Sequence, residues 1–223
     1  MAQRTVRSFV MRAGRLTDAQ KRALIELSPR FAVPFAETEL NLADLFGSTA
    51  PCTLEIGFGN GEHLVTRART EPARNFLGAE VHRPGIGHLL RAAAAANLGN
   101  LRIIAHDAVE VLQRQIAPGA LDEIQILFPD PWPKKRHHKR RLIQGEFAAL
   151  AASRLCSGGR LLLATDWEPY AQHMQQVLDA CSSLTLVSGA ELEKSPGRAA
   201  TRFEQRGLRL GHPVRDLVYR RDA

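Results

Sequence analysis

The sequence predicts an α/β chain built on a doubly wound parallel sheet. Five short apolar runs alternate with stretches of helical spacing, the pattern that successive βαβ units leave in a sequence. A glycine-rich turn, Gly57-Phe58-Gly59-Asn60-Gly61, stands between the first run and the helix after it. An acidic residue lies within or at the end of every run: Glu55, Glu80, Asp107, Asp130 and Asp166.

The first element is a helix over 17–28, TDAQKRALIELS. Thr17 and Gln20 have the spacing of a capping box, Leu24 and Leu27 share a face, and Pro29 follows the end. With the basic arm before it, this helix forms an N-terminal extension, residues 1–50, whose later part shows only a weak helical pattern at ETELNLADLFG. The main domain, 51–223, then runs through the strands CTLEIG (52–57), NFLGAEV (75–81), LRIIAHD (101–107), EIQILFPD (123–130) and GRLLLATD (159–166). The stretches EHLVTRAR, GIGHLLRAAAAANLG, AVEVLQRQI and QGEFAALAASRLC between them are predicted helices. A further helix at about 167–181, a short strand near SLTLV, a break at Ser195-Pro196-Gly197 and a last strand at DLVYR complete the chain.

Length and composition narrow the class. At 223 residues there is room for one medium domain and a short extension. No stretch approaches the roughly 18 to 20 apolar residues that span a bilayer. The basic N-terminus lacks an apolar core of signal-peptide length, so a soluble cytoplasmic protein with no membrane partner is expected. Cys52, Cys156 and Cys181 form no CxxC pair and no ligand spacing, which fits a reducing compartment and argues against a metal. Each reads as a buried structural thiol. Composition leaves monomer or homodimer open.

Charge is segregated. Residues 1–30, 134–141 and 194–223 carry net +5, +6 and +5, so a total of +7 leaves −9 on the rest. An acidic body with basic patches suits a cationic ligand inside and a polyanion outside. The densest patch, KKRHHKRR at 134–141, is a block of like charge that repels itself unless a partner neutralises it.

Ligands bind doubly wound sheets outside the carboxyl ends of the strands. Five acids there make a negative rim, which favours a ligand with positive charge and many hydrogen-bond donors. Gly57 and Gly59 let the backbone turn sharply and let a ligand approach it closely. A nicotinamide dehydrogenase uses such a turn too, but Glu62 would aim a carboxylate at its pyrophosphate. A donor without phosphate, S-adenosylmethionine, fits better. Glu80 lies about 20 residues beyond the turn, where an acid accepts hydrogen bonds from ribose hydroxyls, and Asp107 is placed to receive the adenine amine.

Directly after the fourth strand comes FPDPWPKKRHHKRR, 128–141. Pro129, Pro131 and Pro133 stiffen a turn that presents Asp130 and Trp132 at the ligand edge, and the run after it has the composition of a phosphate-binding segment. A core tryptophan and a solvated basic loop are the plain alternatives. Here the chain resembles the bacterial tRNA (guanine-N(7)-)-methyltransferase family. The resemblance spans RSFVMRAGRLTDAQKRAL (7–24), LEIGFGNGEHL (54–64), GAEVHRPGIG (78–87), FPDPWPKKRHHKRRL (128–142), LLLATDWEPYA (161–171) and TRFEQRG (201–207).

That resemblance implies a class I methyltransferase fold, Rossmann-like, with a mostly parallel seven-stranded sheet, helices on both faces and an antiparallel last strand. It implies donor binding at Glu55, Glu80, Asp107 and Asp130, with Asp130 catalytic. It also implies guanine-side contacts at Lys134, Asp166, Thr201, Arg202, Phe203 and Glu204, and RNA contact at Arg136, His137, His138, Lys139, Arg140 and Arg141. The implied acceptor is a guanine in the variable loop of tRNA. Two other readings stay open on the residues alone: a methyltransferase with a different acceptor, and a non-catalytic RNA-binding module with a donor-like pocket.

Overall fold

The computed structural model describes residues 8–9, 14–188 and 213–222. Among them a seven-stranded sheet forms in the order β3-β2-β1-β4-β5-β7-β6. Its strands are β1 (Cys52–Ile56), β2 (Asn75–Ala79), β3 (Leu101–Ile104), β4 (Leu121–Leu127), β5 (Leu155–Thr165), β6 (Leu184–Leu186) and β7 (Arg215–Arg221). Strands β1 to β5 pair in parallel, and β7 runs antiparallel to both β5 and β6. Strand order reverses between β1 and β4, so their carboxyl ends open the crevice where such sheets hold ligands.

Helices α1 (Asp18–Glu26), α2 (Ser28–Phe31) and α3 (Leu42–Phe46) precede the sheet, and α4 (Glu62–Thr70), α5 (Arg83–Ala95), α6 (Ala108–Arg114), α7 (Gly145–Arg154) and α8 (Glu168–Asp179) cross between strands or follow them. The capping box starting α1 is formed: Thr17 Oγ1 accepts from Gln20 N at 3.2 Å and Gln20 Oε1 accepts from Thr17 N at 2.9 Å. The helix then docks on α5, where Gln20 Nε2 donates to the Pro84 carbonyl at 3.0 Å. The weak pattern at ETELNLADLFG shortens to α3, because the Asn41 side chain caps Ala43 and Asp44 and Gly47 ends the helix at φ 62°.

Two apolar layers enclose the sheet. Leu64, Phe76, Ile86, Leu89, Leu90 and Ile103 join α4 and α5 to one face, and Phe31 and Ala23 extend this layer to α1 and α2. Leu54, Ile124, Ile126, Leu163, Phe147 and Met174 join the other face to α6, α7 and α8. Burial of each such side chain contributes about 1.5–3 kcal/mol. Strand β5 starts earlier than its sequence suggests, at Leu155, since Gly158 turns at φ 76° without breaking the strand and the register shifts between Leu121 and Glu123. Of the cysteines only Cys52 is buried; Cys156 and Cys181 are partly exposed. Burial, with Asp122 nearby, pushes the Cys52 thiol up to about 12. No helix among the described residues is long and apolar enough to cross a membrane.

Candidate active site

The turn after β1 makes the floor of the crevice. Gly57, Gly59 and Gly61 have φ 72°, 56° and 75°, the left-handed region that a side chain strains to reach. The positions a Cβ would take at Gly57 and Gly59 are open, so the space over the turn is free for a ligand. From outside, α5 closes on the turn. A Cβ at Gly85 would stand 2.1 Å from the Gly59 carbonyl oxygen, and His88 Nδ1 lies 2.9 Å from the Asn60 carbonyl.

Glu80 follows the last residue of β2 and ties that strand end to the turn. Its Oε2 accepts from Gly59 N at 2.8 Å, while Oε1 accepts from Val81 N at 2.6 Å and His82 N at 2.9 Å. A carboxylate has about four acceptor positions, so one is left. Asp107 lies three residues past β3 and caps α6, accepting from Val109 N at 3.0 Å. Beside it His106 stacks on Phe35 with centroids 3.7 Å apart.

Glu55 sits deeper than a rim residue. It is 3% exposed, and its Oε2 lies 2.9 Å from His63 Nδ1. The pair opens a buried polar network that the charge pattern did not reveal. Arg67 forks onto both Glu71 oxygens at 2.7 and 2.8 Å, and its Nη1 reaches Glu123 at 2.5 Å. Glu123 also accepts from Thr53 and Gln125. Strand alternation offered the signal: Thr53 and Glu55 on β1 share a face with Glu123 and Gln125 on β4, and His63, Arg67 and Glu71 recur every four residues. His63 Nε2 and Gln125 Oε1 are buried without a partner among the described residues.

Strand β4 leads into the turn that carries Asp130. Phe128 N donates to the Ala164 carbonyl at 2.8 Å and prolongs the ladder with β5. Phe128 and Trp132 then both take left-handed backbone, φ 53° and 46°, on either side of Asp130. Strain of this kind persists only where surroundings enforce it, and it gathers at functional sites. The enforcers are identifiable. Trp132 Nε1 donates to the Ser8 carbonyl at 3.2 Å, Arg140 lies over its ring at 5.1 Å, and Arg141 Nε donates to the Pro131 carbonyl at 3.0 Å. Asp130 itself is exposed, and no described residue makes a hydrogen bond or ion pair with it.

The basic run forms a 3-10 helix, Lys135–Arg140. Lys134, Arg136 and Lys139 are exposed, and His137, His138 and Arg140 partly so. Desolvation and the neighbouring Arg136, Arg140 and Lys134 hold the His137 imidazole below its ordinary pKa. Arg141 stands apart from the rest of the run. It is 5% exposed and lies over the Tyr170 ring at 4.9 Å, so it braces the Asp130 turn from behind. Tyr170 is fully buried, its hydroxyl accepts from Ile143 N at 3.4 Å, and burial pushes it up to about 12. Asp166 follows β5 directly, half-buried at the same edge. Thr201, Arg202, Phe203 and Glu204, and the break at Ser195-Pro196-Gly197, lie outside the described residues.

The sheet therefore brings Glu80, Asp107, Asp130 and Asp166 to one edge, with the glycine turn between the first two and the last two. Solved structures share this architecture. The aminoglycoside resistance methyltransferase NpmB1 superposes with a TM-score of 0.55 at 15% identity, over 84% of this chain and 95% of that one. TrmN from Thermus thermophilus matches at TM-score 0.55 and 20% identity, over 81% of this chain and 47% of its own. A family model described as a putative methyltransferase matches residues 49–217. Sequence relatives agree over nearly the full length. The tRNA (guanine-N(7)-)-methyltransferase of Thiobacillus denitrificans is 51% identical, covering 99% of this chain and 97% of the relative. The proteins of the same name from Paraburkholderia xenovorans and Alkalilimnicola ehrlichii are each 52% identical, covering 98% of this chain and 84% and 94% of theirs. The chain belongs to the tRNA (guanine-N(7)-)-methyltransferase family.

Proposed function

We propose that this protein transfers a methyl group from S-adenosylmethionine to N(7) of a guanine in the variable loop of tRNA. The observation that carries the reading is Asp130: an exposed carboxylate, without a hydrogen-bond or ion-pair partner among the described residues, held in a strained turn beside an open glycine floor. The residues fit the donor. Open space over Gly57 and Gly59 takes a ligand against backbone, and the acids around it suit a sulfonium and an ammonium group. When bound, the donor supplies an electrophilic methyl carbon. Glu80 would hold ribose hydroxyls with its remaining acceptor position, and Asp107 would face the adenine amine. Glu55, buried against His63, contributes negative charge beneath the turn rather than an open contact.

The acceptor nitrogen carries a lone pair and no proton, so no general base is required. What remains is alignment, and support for positive charge as it moves onto the base. Asp130 supplies that support by accepting hydrogen bonds from guanine or by facing the cationic purine. Lys134 and Asp166, and the stretch Thr201 to Glu204, would complete the guanine side. Because the N(7) edge lies in the deep, narrow groove of A-form RNA, the base is reached in a loop or after local opening. A tRNA substrate supports a cytoplasmic location. Incubation with labelled donor and unmodified tRNA tests the reading. Label recovered as N(7)-methylguanosine supports it, and label in another nucleoside, or none in tRNA, defeats it.

Two expected results follow from this geometry. Glu80→Ala removes a ribose acceptor and also releases Gly59, so donor affinity should fall by at least the roughly 1.5–3 kcal/mol of one charge-assisted hydrogen bond. Titration calorimetry measures it, and unchanged affinity would remove Glu80 from the donor site. On the RNA side, Arg136 and Lys139 are the clean probes, since Arg140 also packs on Trp132. Replacing each with Ala should weaken tRNA binding and lower the salt slope by up to about one unit per phosphate contact, leaving donor affinity unchanged. An unaltered slope would make the 3-10 helix a solvated face.

A further inference from the structure

The chain has two tryptophans, and both stand at the ligand edge, Trp132 after β4 and Trp167 after β5. Their situations differ. The Trp132 indole is engaged, by Ser8 through its N–H, by His137 edge-on and by Arg140 over its face. Trp167 is 37% exposed, and no described residue meets its indole with a hydrogen bond, a ring or a cation. Part of the indole therefore stands open at the ligand edge, where an aromatic side chain can meet a substrate ring.

The backbone under Trp167 is nonetheless firmly held. Its N–H donates to Thr165 Oγ1 at 3.2 Å, and its carbonyl accepts from Tyr170 N at 2.9 Å and Ala171 N at 3.0 Å, the first bonds of α8. Thr165 is 2% exposed, so the anchor is part of the core. Strands β4 and β5 are paired in register from Ile124 and Leu161 to Leu127 and Ala164, and neighbouring strands lie about 4.8 Å apart. The Asp130 turn and the Trp167 corner thus leave neighbouring strands at the same edge of the sheet.

We infer that Trp167 is the stacking platform for the acceptor base, a positioning residue for the reaction proposed above, on which this inference rests. An indole face accepts any base, because every base has a π-face. It also answers the specific electrostatics of this transfer. The purine becomes cationic as the methyl arrives, and tryptophan is the best of the aromatic side chains at facing a cation. Asp130 and Trp167 then act on the same developing charge from two directions, a carboxylate at the edge and a π-face across the plane.

The experiment compares Trp167→Ala, Trp167→Leu and Trp167→Phe with the wild-type protein, using labelled donor and unmodified tRNA. Alanine and leucine should lower kcat/KM for tRNA roughly 5- to 150-fold, the range of one lost base stack, with kcat falling as well as KM rising. Phenylalanine, which keeps a π-face, should recover most of the loss, and donor affinity should stay constant in all three. Indole emission gives a second readout: tRNA should quench wild type more than Trp167→Phe, and an abasic site at the methylated position should abolish that difference. Leucine performing as well as phenylalanine, or a quench that survives the abasic site, would overturn the inference. Wild-type protein that labels tRNA at N(7) while Trp167→Ala matches it would defeat the platform and leave the proposed function standing. Failure of wild type to label tRNA would instead remove the reading beneath it.

Discussion

Replacing Asp130 with alanine is expected to lower the rate of methyl transfer at least about a hundredfold, because loss of one preorganised electrostatic partner typically costs about 10² to 10³ in rate. The structure makes the expectation sharper than charge alone would. Asp130 is exposed and its turn is braced by Trp132, Arg140 and Arg141, so the substitution removes a carboxylate without removing a fold contact. Asp130→Asn keeps shape but not charge and should lose much of the same rate. Single-turnover assays at saturating donor and tRNA separate chemistry from binding. Near wild-type turnover in Asp130→Ala would end the catalytic assignment and leave Asp166 and Glu204 as candidates.

Arg67→Ala is expected to have the largest effect on stability, about 3–5 kcal/mol, the cost of leaving a buried charge without its partner. Arg67 and Glu123 are each 8% exposed, and Arg67 Nη1 donates directly to Glu123. Denaturant titration measures the loss, and a change below about 1 kcal/mol would class the pair with surface ion pairs. Acid titration gives a second check. The hydrogen bond from Arg67 holds the Glu71 carboxyl below its ordinary value, so Glu71 contributes stability above about pH 4.3 that is lost as pH falls through its lowered folded pKa. Without Arg67 this part of the acid-side loss should disappear.

Much of the architecture was legible because each signal was local. Apolar runs, the Thr17–Gln20 box and the glycine turn all depend on residues close in sequence, and each formed where expected. The antiparallel β7 came from family resemblance, since nothing in DLVYR alone states its direction. What escaped was direction in space. Arg141 closes a run of six Lys/Arg and reads as one more cation, yet the chain leaves the 3-10 helix at φ −58°, ψ 133° and carries it inward to Tyr170. Glu55 reads as a rim acid but belongs to the strand interior, and its partner His63 comes from the next helix. Strand ends were read long for the same reason: Asp107 and Asp130 lie three residues past β3 and β4, in turns whose paths are set by capping and by left-handed backbone.

The left-handed backbone at Phe128 and Trp132 has a consequence for how this chain responds to selection. Each non-glycine residue in that conformation costs of order 1–3 kcal/mol, against a total folding stability of only about 5–15 kcal/mol for a domain. Glycine at either position would relieve this backbone cost, but at Trp132 it would also delete the indole that Ser8 and Arg140 hold. The same change would free the hinge points on both sides of Asp130. Selection for an ordered Asp130 turn therefore keeps, at these two positions, a backbone that selection for local ease alone would not build.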